Sequence, residues 1–156
     1  MKDFVETSKQ AAQETLQFAK NLIAMQNEVK LADALQRKLQ LTYQREAEIQ
    51  RQIRDDVNLT IEERIAANEE LGKILDAQFA AEKALADKKL ALAQLELSRN
   101  EDNIDLQVAV INAETELADL QERITGQRSE QLRNLTSLQN EYNESIKETG
   151  IQLKAT

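Results

Sequence analysis

Between Arg54 and Leu75 the chain reads RDDVNLTIEERIAANEELGKIL, and inside that stretch one long helical pattern stops and another starts. Asp55, Asp56 and Asn58 break the apolar periodicity, and their short side chains bond to nearby backbone in turns. Thr60 reads as a helix N-cap, with Glu63 three residues on completing the T-x-x-E capping box. Glu62 and Glu63 place negative charge in the first turn, where the helix dipole favours it. So short a connection predicts that the following helix runs back along the preceding one.

Nothing else in the composition opposes long helices. The 156 residues include no Pro and three Gly; 41% are hydrophobic, 31% charged and 3% aromatic. Ala, Leu, Gln, Glu and Lys dominate, the composition of coiled coils. The apolar residues fall in narrow stripes, so a rod with a thin seam is expected rather than a globule. A net charge of −8 argues against nucleic acid and anionic membranes as partners. Residues 1–54 hold nine basic and seven acidic side chains, residues 55–103 six and twelve, and the remainder five and nine. This imbalance suits a slightly basic first helix laid antiparallel on an acidic second one, or reflects only ordinary solvated helix faces. No Cys is present, MKDFVETSKQ lacks the apolar core of a signal peptide, and no apolar run approaches the roughly 18 residues that span a bilayer. Residues 1–156 read as a single helical region. It begins and ends inside helical pattern, as expected of a fragment of a longer chain.

In the first segment Phe4, Ala11, Phe18, Met25, Ala32 and Leu39 recur every seven residues, with Leu22 and Val29 at the alternate position. Near Ala32 the apolar phase predicts a slip, after which the seam continues as Leu35, Leu39, Thr42, Ile49 and Ile53. The spacing predicts one helix over about 3–54. A second, over 61–98, carries two adjoining stripes: Ile61, Ile65, Asn68, Gly72, Leu75, Phe79 and Ala86, beside Leu71, Ile74, Leu85, Leu92 and Leu95. Asn68 fits either a buried polar residue that fixes register or a partly exposed one, and Gly72 a close backbone approach. Polar residues Asn100 to Asn103 end the pattern, and Asn103 is the expected cap of a third helix over about 103–154. Its seam reads Leu106, Val110, Ala113, Leu117, Leu120 and Ile124, then Leu132, Leu135, Leu138, Tyr142, Ile146 and Leu153, running through Gly126 without a break. The fold class expected is all-α: an elongated antiparallel helical hairpin or three-helix coiled-coil rod with overhanging ends. Because the middle helix is the shortest, apolar residues overhang at Phe4, Ala11, Ala12 and Phe18 on one side and at Tyr142, Ile146 and Leu153 on the other. These overhangs are the expected self-association seams.

Chemistry is thin. With neither His nor Cys, zinc sites, Cys nucleophiles and Ser-His-Asp arrangements are excluded. The pairs Asp55/Asp56, Glu62/Glu63 and Glu69/Glu70 are consecutive on the chain, so their side chains diverge instead of converging on a cation or substrate. NEDNID at 100–105 lacks the glycine and spacing of a calcium loop, and no phosphate-binding glycine motif occurs. Three glycosylation acceptor matches, beginning at Asn58, Asn134 and Asn143, are read as accidental in a chain without a secretory signal. No catalytic residue, cofactor or metal is expected.

The segment RDDVNLTIEERIAANEELGKIL resembles a stretch within the tail tape measure proteins of tailed phages and prophages of Bacteroidetes hosts. SRNEDNIDLQVAVINAETELADLQ (98–121) and ERITGQRSEQLRNLTSLQNE (122–141) extend the likeness, which covers about 50–141, with QAAQETLQFAKN (10–21) a vaguer match. The resemblance implies a long helical protein that fills the tail lumen and sets tail length. It also implies tail tube or tail chaperone proteins as partners, and a location in the virion tail or, during assembly, the host cytoplasm. The membrane-active and lytic regions that such proteins carry have no counterpart here. A helical adaptor or holdase-like interaction module is the competing expectation.

Overall fold

The computed structural model describes residues 2–155, with side chains from residue 3 to residue 149. The protein is all-α: α1 (Lys2–Asp55), α2 (Ile61–Ser98) and α3 (Ile104–Ala155), with no strand among the described residues. The two breaks fall where turn-forming residues interrupt the periodicity. The chain divides into two compact units, Met1–Gln36 with Lys83–Ala118, and Arg37–Glu82 with Asp119–Thr156.

In the first unit α1 and α2 are antiparallel, since positions further along α1 find partners further back along α2. Arg99 lies over the Phe18 ring at 4.5 Å, Gln26 Nε2 donates to Glu96 over 3.4 Å, and Asp33 pairs with Lys89 at 3.4 Å. Glu28 and Lys88 add a 3.0 Å ion pair. The sign of these contacts corrects the expectation from net charge. The acids sit on α1 and the bases on α2, because local register, not total charge, decides which side chains meet. Leu85, Ala86, Ala93 and Ala113 are buried here. At the second turn Asn103 Oδ1 accepts the Leu106 N–H (3.1 Å), the N-cap bond.

In the second unit α2 and α3 are antiparallel, tied by Arg64–Glu141 at 2.9 Å and Arg123–Glu82 at 3.3 Å. Its core is Ala47, Leu71, Leu75, Phe79, Leu120, Ile124 and Leu138. Buried stripes on two sides of α2 match the two adjoining stripes read from its sequence.

Two seams run differently from the apolar pattern. On α1 the inward face takes in Ala32 and Asp33, both half-buried, before it turns to glutamines. After Met25 and Val29 it continues as Gln36 in the first unit, and as Gln40, Tyr43, Ala47 and Gln50 in the second. Leu35, Leu39 and Ile49 are 52%, 43% and 49% exposed. In α3 the inward positions after Ile124 are Gln127 and Gln131, whereas Leu132 is 64% exposed. An unbroken helix keeps one face inward at 3.6 residues per turn, so a leucine one position off that face stays outside.

Candidate functional site

The first turn is held by backbone and side chains together: the Asp56 N–H donates to the Ile53 carbonyl (3.3 Å) and the Leu59 N–H to the Asp56 carbonyl (3.2 Å). Asp56 Oδ1 accepts the Asn58 N–H (2.9 Å), an Asx-turn, and Thr60 Oγ1 accepts the Glu63 N–H (3.1 Å) at the start of α2. Among the described residues only this Thr60 half of the capping box forms; Glu63 is exposed and makes no return bond. Arg54 grips Asp55 with two bonds, Nε to Oδ1 at 2.9 Å and Nη2 to Oδ2 at 3.1 Å. That fork holds the Asp55 carboxyl below the usual carboxylate range, and the Arg54 guanidinium above its own ordinary value.

Arg64, which the sequence pattern did not single out, closes the turn. Its Nε donates to the Arg54 carbonyl over 2.7 Å, and its Nη1 meets Glu141 at 2.9 Å. One side chain from α2 thus satisfies a carbonyl left open at the end of α1 and pairs with α3. The only prior signal was an arginine one turn after a cap.

Further along α2, Asn68 is 3% exposed and faces α3. Gln131 Nε2 donates to the Asn68 carbonyl over 2.8 Å, and Asn68 Nδ2 reaches the Gln131 carbonyl at 3.5 Å. A Cβ added to Gly72 would stand 3.1 Å from Gln131 Nε2, so glycine makes room for this amide. The reading of Asn68 as buried, and of Gly72 as a close approach, describes this arrangement. Its partner Gln131 was missed in favour of Leu132.

Of the expected seam residues, Phe4 is 77% exposed, Ile146 53% and Tyr142 37%, and Ala11 is exposed. Phe18 differs: it is half-buried beneath Arg99, so it belongs to the internal α1–α2 contact. The Leu153 side chain lies outside the described residues. Every described side chain from 3 to 17 and from 139 to 149 is exposed.

An open groove of about 350 Å³ in the first unit has a floor of Leu92, Ala93, Ala109 and Ala113, with Lys89 and Glu116 at its rim. A smaller one of about 150 Å³ in the second unit lies beside Gly72, Phe79 and Gln131. Among the described residues no three acidic side chains gather to hold a metal ion, and no helix is long and apolar enough to cross a membrane. The helices carry apolar residues that stay exposed toward the start of α1 and the end of α3. No protein-family model, curated protein or solved structure matches this chain.

Proposed function

We propose that the chain is a non-catalytic structural coiled-coil segment, of the kind found in phage tail tape measure proteins, that associates with itself to build an extended assembly. The supporting observation is the exposure of Phe4 and Ala11 on α1 and of Tyr142 and Ile146 on α3. These residues continue the heptad spacing of seams that are covered further along the same helices. Burying a few hundred Å² of apolar surface at about 25 cal/mol per Å² gives several kcal/mol before association costs, enough for micromolar contacts. In a tape measure protein such seams would meet further copies, the tail tube or tail chaperones.

Sedimentation equilibrium at tens of micromolar is the test. A species larger than the monomer is expected, weakened by Phe4→Ser together with Ile146→Ser. A strict monomer at that concentration would remove the structural reading and leave the adaptor or holdase-like module ahead.

A further inference from the structure

Each unit leaves one helix end uncovered. In the first unit the earliest α1 side chain that is not exposed, among the described residues, is Phe18, beneath Arg99. In the second unit Arg64, one turn into α2, pairs with Glu141, and every described side chain from Tyr142 onward is exposed. The free start of α1, residues 3–17, and the free end of α3, residues 142–155, are 15 and 14 residues long, about 21 to 23 Å each at 1.5 Å per residue.

Both stretches carry on the inward face of their own helix. On α1 the half-buried Met25, Leu22 and Phe18 lead back to Thr15, Ala11, Ser8 and Phe4. On α3 Leu135 and Leu138 lead on to Tyr142, Ile146 and Thr149, and the sequence keeps the spacing to Leu153. The two runs share one 4-3-4 step, 4, 8, 11, 15 and 142, 146, 149, 153. Laid parallel and in register, Phe4 meets Tyr142, Ser8 meets Ile146 and Ala11 meets Thr149. The small side chains of α1 thus fall opposite larger ones of α3.

No charge interrupts this contact. The charged residues are Asp3, Glu6, Lys9 and Glu14 on α1, and Glu141, Glu144, Lys147, Glu148 and Lys154 on α3. At 3.6 residues per turn each of the nine falls a quarter turn or more from the centre of its stripe.

The second unit itself shows which helix belongs beside α3. Arg64 bonds both to the Arg54 carbonyl and to Glu141, and Arg51 and Arg54 share a small cavity with Gln127, Glu130 and Gln131. There α1 and α3 run in the same direction, each antiparallel to α2. Because α1 ends at Asp55, the place it holds beside α3 is open from that point on. The start of α1 from another copy continues this contact in the same direction. Two α1 starts would overlap antiparallel and set Ser8, Ala11 and Thr15 against one another, with Phe4 the one large apolar residue. Two α3 ends would also overlap antiparallel, against the direction of the α1–α3 contact.

We infer that residues 3–17 of one copy dock, parallel and in register, on residues 142–155 of a second copy. This rests on the reading of the chain as self-associating and names the partner of each exposed seam. The two surfaces differ, so the contact is heterologous, and copies add in series unless the rotation between them closes a ring.

The absence of cysteine makes the test direct, since an introduced thiol is the only one in the molecule. Ala11→Cys and Thr149→Cys, both at exposed positions, are prepared separately in the full chain, mixed at tens of micromolar and oxidised mildly. The expected product is the mixed disulfide joining position 11 of one copy to position 149 of the other, several-fold in excess of either like pair. Phe4→Ser on the first partner, or Ile146→Ser on the second, should lower that yield. Thr15→Cys mixed with Asn143→Cys, which only an antiparallel overlap brings together, should show no such excess. Like pairs in excess overturn the inference, as does an excess for the 15–143 pair. So does the absence of any mixed disulfide while the unmodified chain sediments above its monomer mass. In these cases the self-association reading survives. An unmodified chain that is monomeric overturns both.

Discussion

Arg64 carries more of the first turn than its place in the sequence would suggest. Its side chain is 12% exposed, whereas its partner Glu141 is 48% exposed, so the ion pair itself adds little against solvent. The bond to the Arg54 carbonyl is different: it is short, made by a charged donor, and satisfies a backbone acceptor at a helix end. Removing it in Arg64→Ala leaves that carbonyl with only solvent, and about 2 kcal/mol of stability is expected to go with it. Thr60→Ala removes the bond to the Glu63 N–H and should cost about 1 kcal/mol, the usual value for a lost N-cap. Urea melts of the two variants check both values. A larger loss for Thr60→Ala than for Arg64→Ala would mean that the cap, not the arginine, holds the turn. Because both residues anchor the same few residues, the double variant should lose less than the sum of the single ones.

At the scale of the helices the informative comparison is between two glycines. Gly126 lies inside α3, and a Cβ there would meet nothing within 4 Å. Gly126→Ala should therefore raise stability by about 1 kcal/mol, through helix propensity alone. Gly72 is also helical, but its added methyl would press on Gln131 Nε2 at 3.1 Å and disturb the bond to the Asn68 carbonyl. Gly72→Ala should gain less than Gly126→Ala or lose stability. Thermal midpoints that rise equally would show that the Gln131 amide moves aside freely. The same helices show what could be read in advance. Turn chemistry placed the breaks between them, because Asp56, Thr60 and Asn103 act within a few residues of themselves. The faces of α2 were legible because apolar residues occupy both of its covered sides. Much of the inward faces of α1 and α3 was legible too, from Phe18 to Ala32 and at Ala113, Leu120, Ile124, Leu135 and Leu138; the exceptions are Gln36, Gln40, Gln127 and Gln131, which take positions that hydrophobicity assigns to neighbouring leucines. A long aliphatic stem lets glutamine line a seam, so polarity alone misplaces it. Arg64 was illegible for a related reason: its partners lie 10 and 77 residues away in the chain.

For the molecule as a whole, the distribution of burial sets an order of stability along the chain. Residues 3–17 and 139–149 are helical, yet none of their side chains is buried, while Leu71 and Ala47 are 1% exposed in the second unit. A helix of that length without a packed face is marginal in water, so these two stretches depend on propagation from the covered helix beside them. They should open locally at low free energy, and amide hydrogen exchange should be fast there and slow around Leu71 and Leu120. If the exposed seams meet other copies, concentration changes this pattern selectively. Raising the protein from about one to tens of micromolar, across the expected dissociation range, should slow exchange in 3–17 and 139–149 and leave the interior amides as they were. Exchange independent of concentration everywhere would argue that Phe4, Tyr142 and Ile146 remain in water, and that their heptad spacing serves the helix alone.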